Sequence, residues 1–146
     1  MKYTITTTID LPRNKVIELF DNPDNLPKWQ PELQSFDHIS GEPGKPGAKS
    51  KLKYKMGKRE VEMIETITVR NLPEEFSGTY EAKGVLNIQK NYFKEVGENQ
   101  TEWISETEFK LSGFMKVMGW FMPGAFKKQS QKYLDQFKAF AESEAA

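Results

Sequence analysis

Residues 48–69 read AKSKLKYKMGKREVEMIETITV, and their alternation decides how the chain folds. Gly57-Lys58 has the composition of a two-residue type II′ loop, whose first position needs a positive φ. That loop fixes a register with Met56 opposite Arg59. Lys55 then faces Glu60 and Lys53 faces Glu62 on one side, while Tyr54 faces Val61 and Leu52 faces Met63 on the other. One face is charged and the other oily, as in antiparallel strands with one solvated and one covered side. The same register sets Ser50 opposite Glu65. Glu65 falls in phase with Val61, Met63, Ile67 and Val69, so a carboxylate is aimed at the covered side. A slip of one residue would turn it to solvent.

Extended segments continue on both sides of this hairpin, and Glu42-Pro43-Gly44-Lys45-Pro46-Gly47 before it is turn chemistry. Lys83-Gly84 reads as a second two-residue turn, placing Tyr80 opposite Asn87 and Phe76 opposite Asn91, with Leu86, Ile88 and Tyr92 on the other side. Thr101 to Leu111 separates Trp103, Ser105, Thr107, Phe109 and Leu111 from Glu102, Glu106, Glu108 and Lys110. With Gly97-Glu98-Asn99 as a three-residue loop, Phe93 faces Trp103, Asn91 faces Ser105 and Asn87 faces Phe109. The inner face thus carries Asn87, Gln89 and Asn91 among aromatics.

Toward the N-terminus, Tyr3, Ile5, Thr7 and Ile9 share one side of a strand over Lys2–Ile9. Pro12 suits the first turn of a helix whose stripe is Val16, Ile17, Leu19 and Phe20; Asp21-Asn22-Pro23 ends it. Asp24 to Trp29 reads as a second helical turn, stopped before Pro31. The last 25 residues or so are helical, opened by Pro123, with Phe126, Gln129 or Ser130, Tyr133, Phe137 and Phe140 at helical spacing. A long amphipathic helix needs an apolar partner, and the concave sheet face is the one available. The expected fold is α+β: a seven-stranded antiparallel sheet wrapped around a long C-terminal helix, with two short helices after the first strand, in one domain over residues 1–146.

Composition narrows the chemistry. Among 146 residues there are 21 Lys plus Arg, 21 Asp plus Glu, one His and no Cys. An even charge balance lacks the electrostatic footprint of a nucleic-acid binder. No run of about 18 apolar residues is present to insert stably in a bilayer. Without cysteine there are no thiolate metal sites, disulfides or cysteine nucleophiles, and a lone His38 excludes a multi-histidine zinc site. No Ser-His-Asp arrangement, phosphate-binding loop or dinucleotide fingerprint is present, so neither metal nor cofactor is expected. The N-terminus lacks the apolar stretch of a secretory signal, which predicts a cytoplasmic protein. The basic stretch from Pro43 to Arg59 carries Lys45, Lys49, Lys51, Lys53, Lys55, Lys58 and Arg59, but Glu60 and Glu62 face two of its lysines, which makes it a solvated face. Asp37 and His38 point to opposite faces of a strand, so they form no dyad; His38 reads as partly exposed and structural.

This order of elements resembles that of the START, birch-pollen-allergen and polyketide-cyclase superfamily, called SRPBCC or helix-grip. The likeness spans the whole chain. It is carried by Leu11-Pro12 followed by Val16 and Phe20, Trp29 after the helix pair, Gly47 before a strand, Asn71-Leu72-Pro73 between strands, and the amphipathic end. The resemblance implies a pocket between sheet and terminal helix that holds a lipid, sterol, polyketide, hormone or quinone. Its members range from carriers through cyclases and dehydratases to chaperone-activating domains, so the fold does not settle the activity.

The expected partner is therefore a small apolar molecule, held by Tyr54, Met63, Glu65, Tyr80, Asn87, Gln89, Asn91, Trp103, Phe126 and Tyr133. Glu65 is the sharpest candidate, because an ionised carboxylate in an apolar cavity is costly and its pKa rises with burial. It suits anchoring a ligand hydroxyl, or acid–base work in a cyclase- or dehydratase-type enzyme alongside a tyrosine. The inward amides either bond to one another, to waters and to Ser105, or wait for a polar ligand group. Phe114 to Phe126 is methionine-rich with Lys116 as its one charge. It suits a cavity lip, a transient membrane contact, a second subunit or ordinary core, and leaves open monomer or homodimer. A chaperone-activator-like interaction domain would use this segment or the lysine stripe.

Overall fold

Strand β1 (Lys2–Ile9) opens the chain, whose conformation is described for residues 1–145 of a computed structural model. Helix α1 (Arg13–Phe20) follows, with Pro12 extended just ahead of it rather than inside its first turn. A 3₁₀ turn (Pro23–Asn25) leads into the short helix α2 (Leu26–Trp29); the side chain of Asn22 caps the turn by accepting from the Asp24 N–H. Six strands come next: β2 (Leu33–Ser40), β3 (Lys49–Met56), β4 (Arg59–Asn71), β5 (Glu75–Ala82), β6 (Val85–Gly97) and β7 (Gln100–Leu111). Two helices close the chain, α3 (Phe114–Phe121) and α4 (Pro123–Glu144). The strands form one antiparallel sheet in the order β1-β7-β6-β5-β4-β3-β2, the α+β helix-grip arrangement expected from the pattern.

The hairpin register holds in full: Met56 pairs with Arg59, Tyr54 with Val61, Leu52 with Met63 and Ser50 with Glu65. Gly57 takes φ 65°, the positive value its loop position requires. Tyr80 pairs with Asn87, Phe76 with Asn91, Phe93 with Trp103 and Asn87 with Phe109. The β6–β7 connection differs in detail. It is a two-residue turn, Glu98-Asn99, and Val96 is a bulge between the pairs Glu95–Thr101 and Gly97–Gln100. The bulge takes up the residue that the expected three-residue loop would have held, which is why the register beyond it is unchanged.

A second bulge changes which side chains face inward. Between Ile67–Gly78 and Val69–Ser77 the β4 strand carries Thr68 as an extra residue, so parity reverses beyond it. Val69, expected on the covered side with Glu65, is 37% exposed, and Arg70 turns inward opposite Phe76 instead. Gly78 makes the bend possible: a Cβ there would lie 2.8 Å from the Thr66 carbonyl oxygen.

The packed core lies at one end of the grip. Leu134, Phe137 and Ala141 of α4 are buried against Ile5 and Ile9 of β1, Val16 and Leu19 of α1, Trp29, Phe93 and Trp103. Phe20 is its aromatic hub, with ring centroids 5.0 Å from Phe93, 5.5 Å from Trp103 and 5.8 Å from both Phe76 and Phe137. Polar ties hold α4 to β1: Lys138 Nζ donates to the Thr8 carbonyl at 2.6 Å and Tyr3 Oη meets Ser130 Oγ at 2.7 Å. Among the described residues no helix is long and apolar enough to cross a membrane.

Candidate functional site

Because the aromatic core fills only the end where α1, α2 and the C-terminal half of α4 converge, the rest of the grip is hollow. Between the inner faces of β3–β7 and the N-terminal half of α4 lies a cavity of about 760 Å³. All ten side chains expected at the site line it. Tyr54 and Met63 stand on β3 and β4, Glu65 beyond Met63 on β4, and Tyr80 opposite Glu65 on β5. Asn87, Gln89 and Asn91 of β6 and Trp103 of β7 form the next wall, and Phe126 and Tyr133 of α4 form the roof.

Two phenols converge on one carboxyl, and a third stands beside them. Tyr80 is the hydrogen-bond partner of the Glu65 carboxyl across the strand pair, and Tyr54 lies close enough to feel the charges of both Glu65 and Tyr133. Burial pushes the Glu65 carboxyl above its ordinary pKa, the Tyr80 bond offsetting part of the rise. Burial, and then the nearby Glu65 charge, hold the Tyr80 phenol well above its ordinary value, so it stays a donor. The same loss of hydration raises Tyr54, whose hydroxyl donates to Gln30 Oε1 at 2.7 Å, and Tyr133, which bonds Gln129.

The amide row is bonded within the protein. Asn87 Nδ2 donates to the Glu108 carbonyl at 3.1 Å, and Gln89 Nε2 donates to Asn87 Oδ1 at 2.7 Å. Asn91 Oδ1 accepts from the Trp103 indole N–H at 3.0 Å, so it holds Trp103 in place; Ser105, its expected partner, instead lies 3.4 Å from the Thr107 hydroxyl. The indole, one cross-strand pair further along, reaches the amide that the short serine hydroxyl does not bond. His38 is exposed, its Nε2 2.7 Å from the Gly41 carbonyl oxygen.

Sequence reasoning missed an ion pair at one end of the cavity. Arg70 Nη1 and Nη2 meet the two carboxylate oxygens of Asp21 at 2.7 and 2.6 Å, fastening the end of α1 to β4. The only signal that Arg70 faces inward is the bulge at Thr68, which residue types do not announce. At the other end, Met115 of α3 and Phe126 of α4 form the lip. Phe114, Val117, Trp120 and Phe121 of α3 point to solvent, so this segment is not ordinary core.

A family model described as "Polyketide cyclase / dehydrase and lipid transport" matches residues 1–142. The chain belongs to this family. Solved structures carry the same fold across nearly the whole length of this polyketide cyclase/dehydrase family member. An aromatase/cyclase from a Streptomyces species superposes with a TM-score of 0.80 at 10% identity, covering 100% of this chain and 96% of that one. A norcoclaurine synthase point mutant from Thalictrum flavum, in complex with a transition-state analogue, gives 0.76 at 11% identity over 100% and 96%. The major latex-like protein 151 of Panax ginseng gives 0.69 at 18% identity, covering 95% of each chain. At these identities the likeness is one of fold. No curated protein sequence matches the chain significantly.

Proposed function

We propose that this polyketide cyclase/dehydrase family member binds a small, mainly apolar molecule in the grip cavity, its polar end toward Glu65, Tyr80, Tyr54 and Tyr133. The observation that carries this is a hollow of about 760 Å³ with mostly apolar walls and a buried carboxyl and phenol, Glu65 and Tyr80, among its polar groups. That volume falls within the roughly 300–1,000 Å³ of small-molecule sites, which combine apolar walls with a few placed polar groups. A solid core of this size would have no use for a buried carboxyl with phenols beside it, since each costs free energy to bury. Native mass spectrometry of the purified protein is expected to show a retained small molecule. Calorimetry with the neutral apolar probe N-phenylnaphthylamine is expected to show one-to-one uptake, weakened in the variant Gln129→Trp, whose indole narrows the cavity. A protein that carries nothing and takes up no probe would overturn the reading.

The Glu65–Tyr80 pair favours a catalytic version of the same site. A carboxyl that burial makes a weaker acid keeps its proton to higher pH than a free one and can pass it to the oxygen of a bound carbonyl or hydroxyl compound, with Tyr80 left as a donor to the carboxylate that results. Glu65→Gln would then abolish turnover of a polyketide-like hydroxy-carbonyl compound while probe uptake persists. Turnover unchanged in that variant would leave binding as the whole function.

A further inference from the structure

Five of the nine exposed large apolar side chains of the described residues lie within one short stretch: Phe114, Val117, Trp120, Phe121 and Met122, at 75, 49, 83, 75 and 52% exposure. The first four project from one side of α3, at positions i, i+3, i+6 and i+7. The opposite side of the helix is committed. Met115 reaches the cavity lip, and Gly119 lies so close to β7 that a Cβ would come within 2.3 Å of Leu111 Cδ1. The apolar side is therefore held outward by packing, beside the mouth of the cavity.

Charge selects what covers it. From Lys110 to Leu134 the chain has five lysines and no acidic residue. Lys132 is paired with Glu32, while Lys110, Lys116, Lys127 and Lys128 are exposed and form no ion pair among the described residues. Aromatic side chains flanked by lysines match a lipid surface, with rings at the acyl boundary and ammonium groups among anionic headgroups. We propose that α3 docks this end of the molecule reversibly onto an anionic lipid bilayer. If the cavity binds an apolar molecule, as proposed above, docking there lets the ligand pass between bilayer and cavity past Met115 and Phe126 without crossing water. The docking itself does not depend on the cavity being filled.

Co-sedimentation with vesicles tests this directly. Wild-type protein is expected to sediment with phosphatidylglycerol–phosphatidylcholine vesicles, less with pure phosphatidylcholine, and less again at high salt. The double change Trp120→Ser, Phe121→Ser is expected to lower partitioning at least about tenfold, since two exposed aromatic rings no longer enter the interface. Lys127→Glu with Lys128→Glu is expected to lower it by about as much on anionic vesicles alone. These positions are exposed, so circular dichroism and N-phenylnaphthylamine uptake should stay at wild-type values. The proposal is overturned if wild-type protein ignores anionic vesicles, or if the double serine variant binds them equally well. It is also overturned if the protein is a dimer that this variant splits into monomers without any vesicle binding, which would make a second copy the occupant. Loss of probe uptake with vesicle binding intact would strike the cavity reading alone.

Discussion

Ionising Glu65 takes a charge into a wall that does not restore its hydration, and the bond from Tyr80 recovers only part of the loss. The folded chain therefore holds this proton more tightly than the unfolded chain, and stability falls as pH rises from the ordinary carboxyl range through the raised value. Below that window both states are protonated and Glu65→Gln should leave the melting temperature unchanged; above it the variant should melt higher than wild type. Thermal melts across the acid-to-neutral range check the sign, and a variant that melts lower at neutral pH would show the carboxylate to be stabilising instead. Asn91→Leu orphans the buried Trp103 indole N–H and should cost about 1–3 kcal/mol in urea unfolding. The inward aim of Glu65 was legible because a two-residue loop sets every partner on a hairpin. Asn91's bond to Trp103 was not, because strand pairing says which Cα atoms meet and not how far an indole reaches.

Elements divide in the same way between what alternation reveals and what it hides. Charged and oily residues alternate from Lys51 to Met56 and from Glu60 to Met63, so the pairing of β3 with β4 follows from residue types. From Thr66 to Val69 polar and oily residues alternate again, yet the backbone inserts Thr68 as a bulge and exchanges the faces of Val69 and Arg70. The reason lies on the neighbouring strand, where the absent side chain of Gly78 lets β4 come close. Gly78→Ala should therefore cost about 1–3 kcal/mol, read as a lower urea midpoint, because the Thr66 carbonyl cannot yield without moving the strand. Helix α3 was not legible as a helix: eight residues that are nearly all apolar carry no period from which to infer one.

Taken whole, the molecule separates what holds it together from what it leaves open. The C-terminal half of α4 inserts Leu134, Phe137 and Ala141 into the aromatic core, while its N-terminal half, through Phe126, Gln129, Ser130 and Tyr133, roofs the cavity. Phe137→Ala should cost about 3–5 kcal/mol on chemical denaturation. Gln129→Trp, narrowing the hollow, should change stability by far less while weakening probe uptake. Equal losses from the two would mean that the hollow is part of the core. The resemblance in element order was enough to expect a pocket under α4, but the end at which the core sits depends on Phe20 and the rings gathered around it.

That division also sorts the three tryptophans. Trp29 and Trp103 lie 6.3 Å apart in the core, at 6 and 4% exposure, whereas Trp120 stands at 83% on the outer side of α3. Two buried indoles and one in water amount to a built-in pair of optical reporters. The buried pair should emit toward the blue, with Trp103 at the cavity wall responding to whatever enters, while Trp120 should emit toward the red and alone be quenched by acrylamide. Intrinsic emission can thus follow the interior and the rim of the same unlabelled protein in one cuvette.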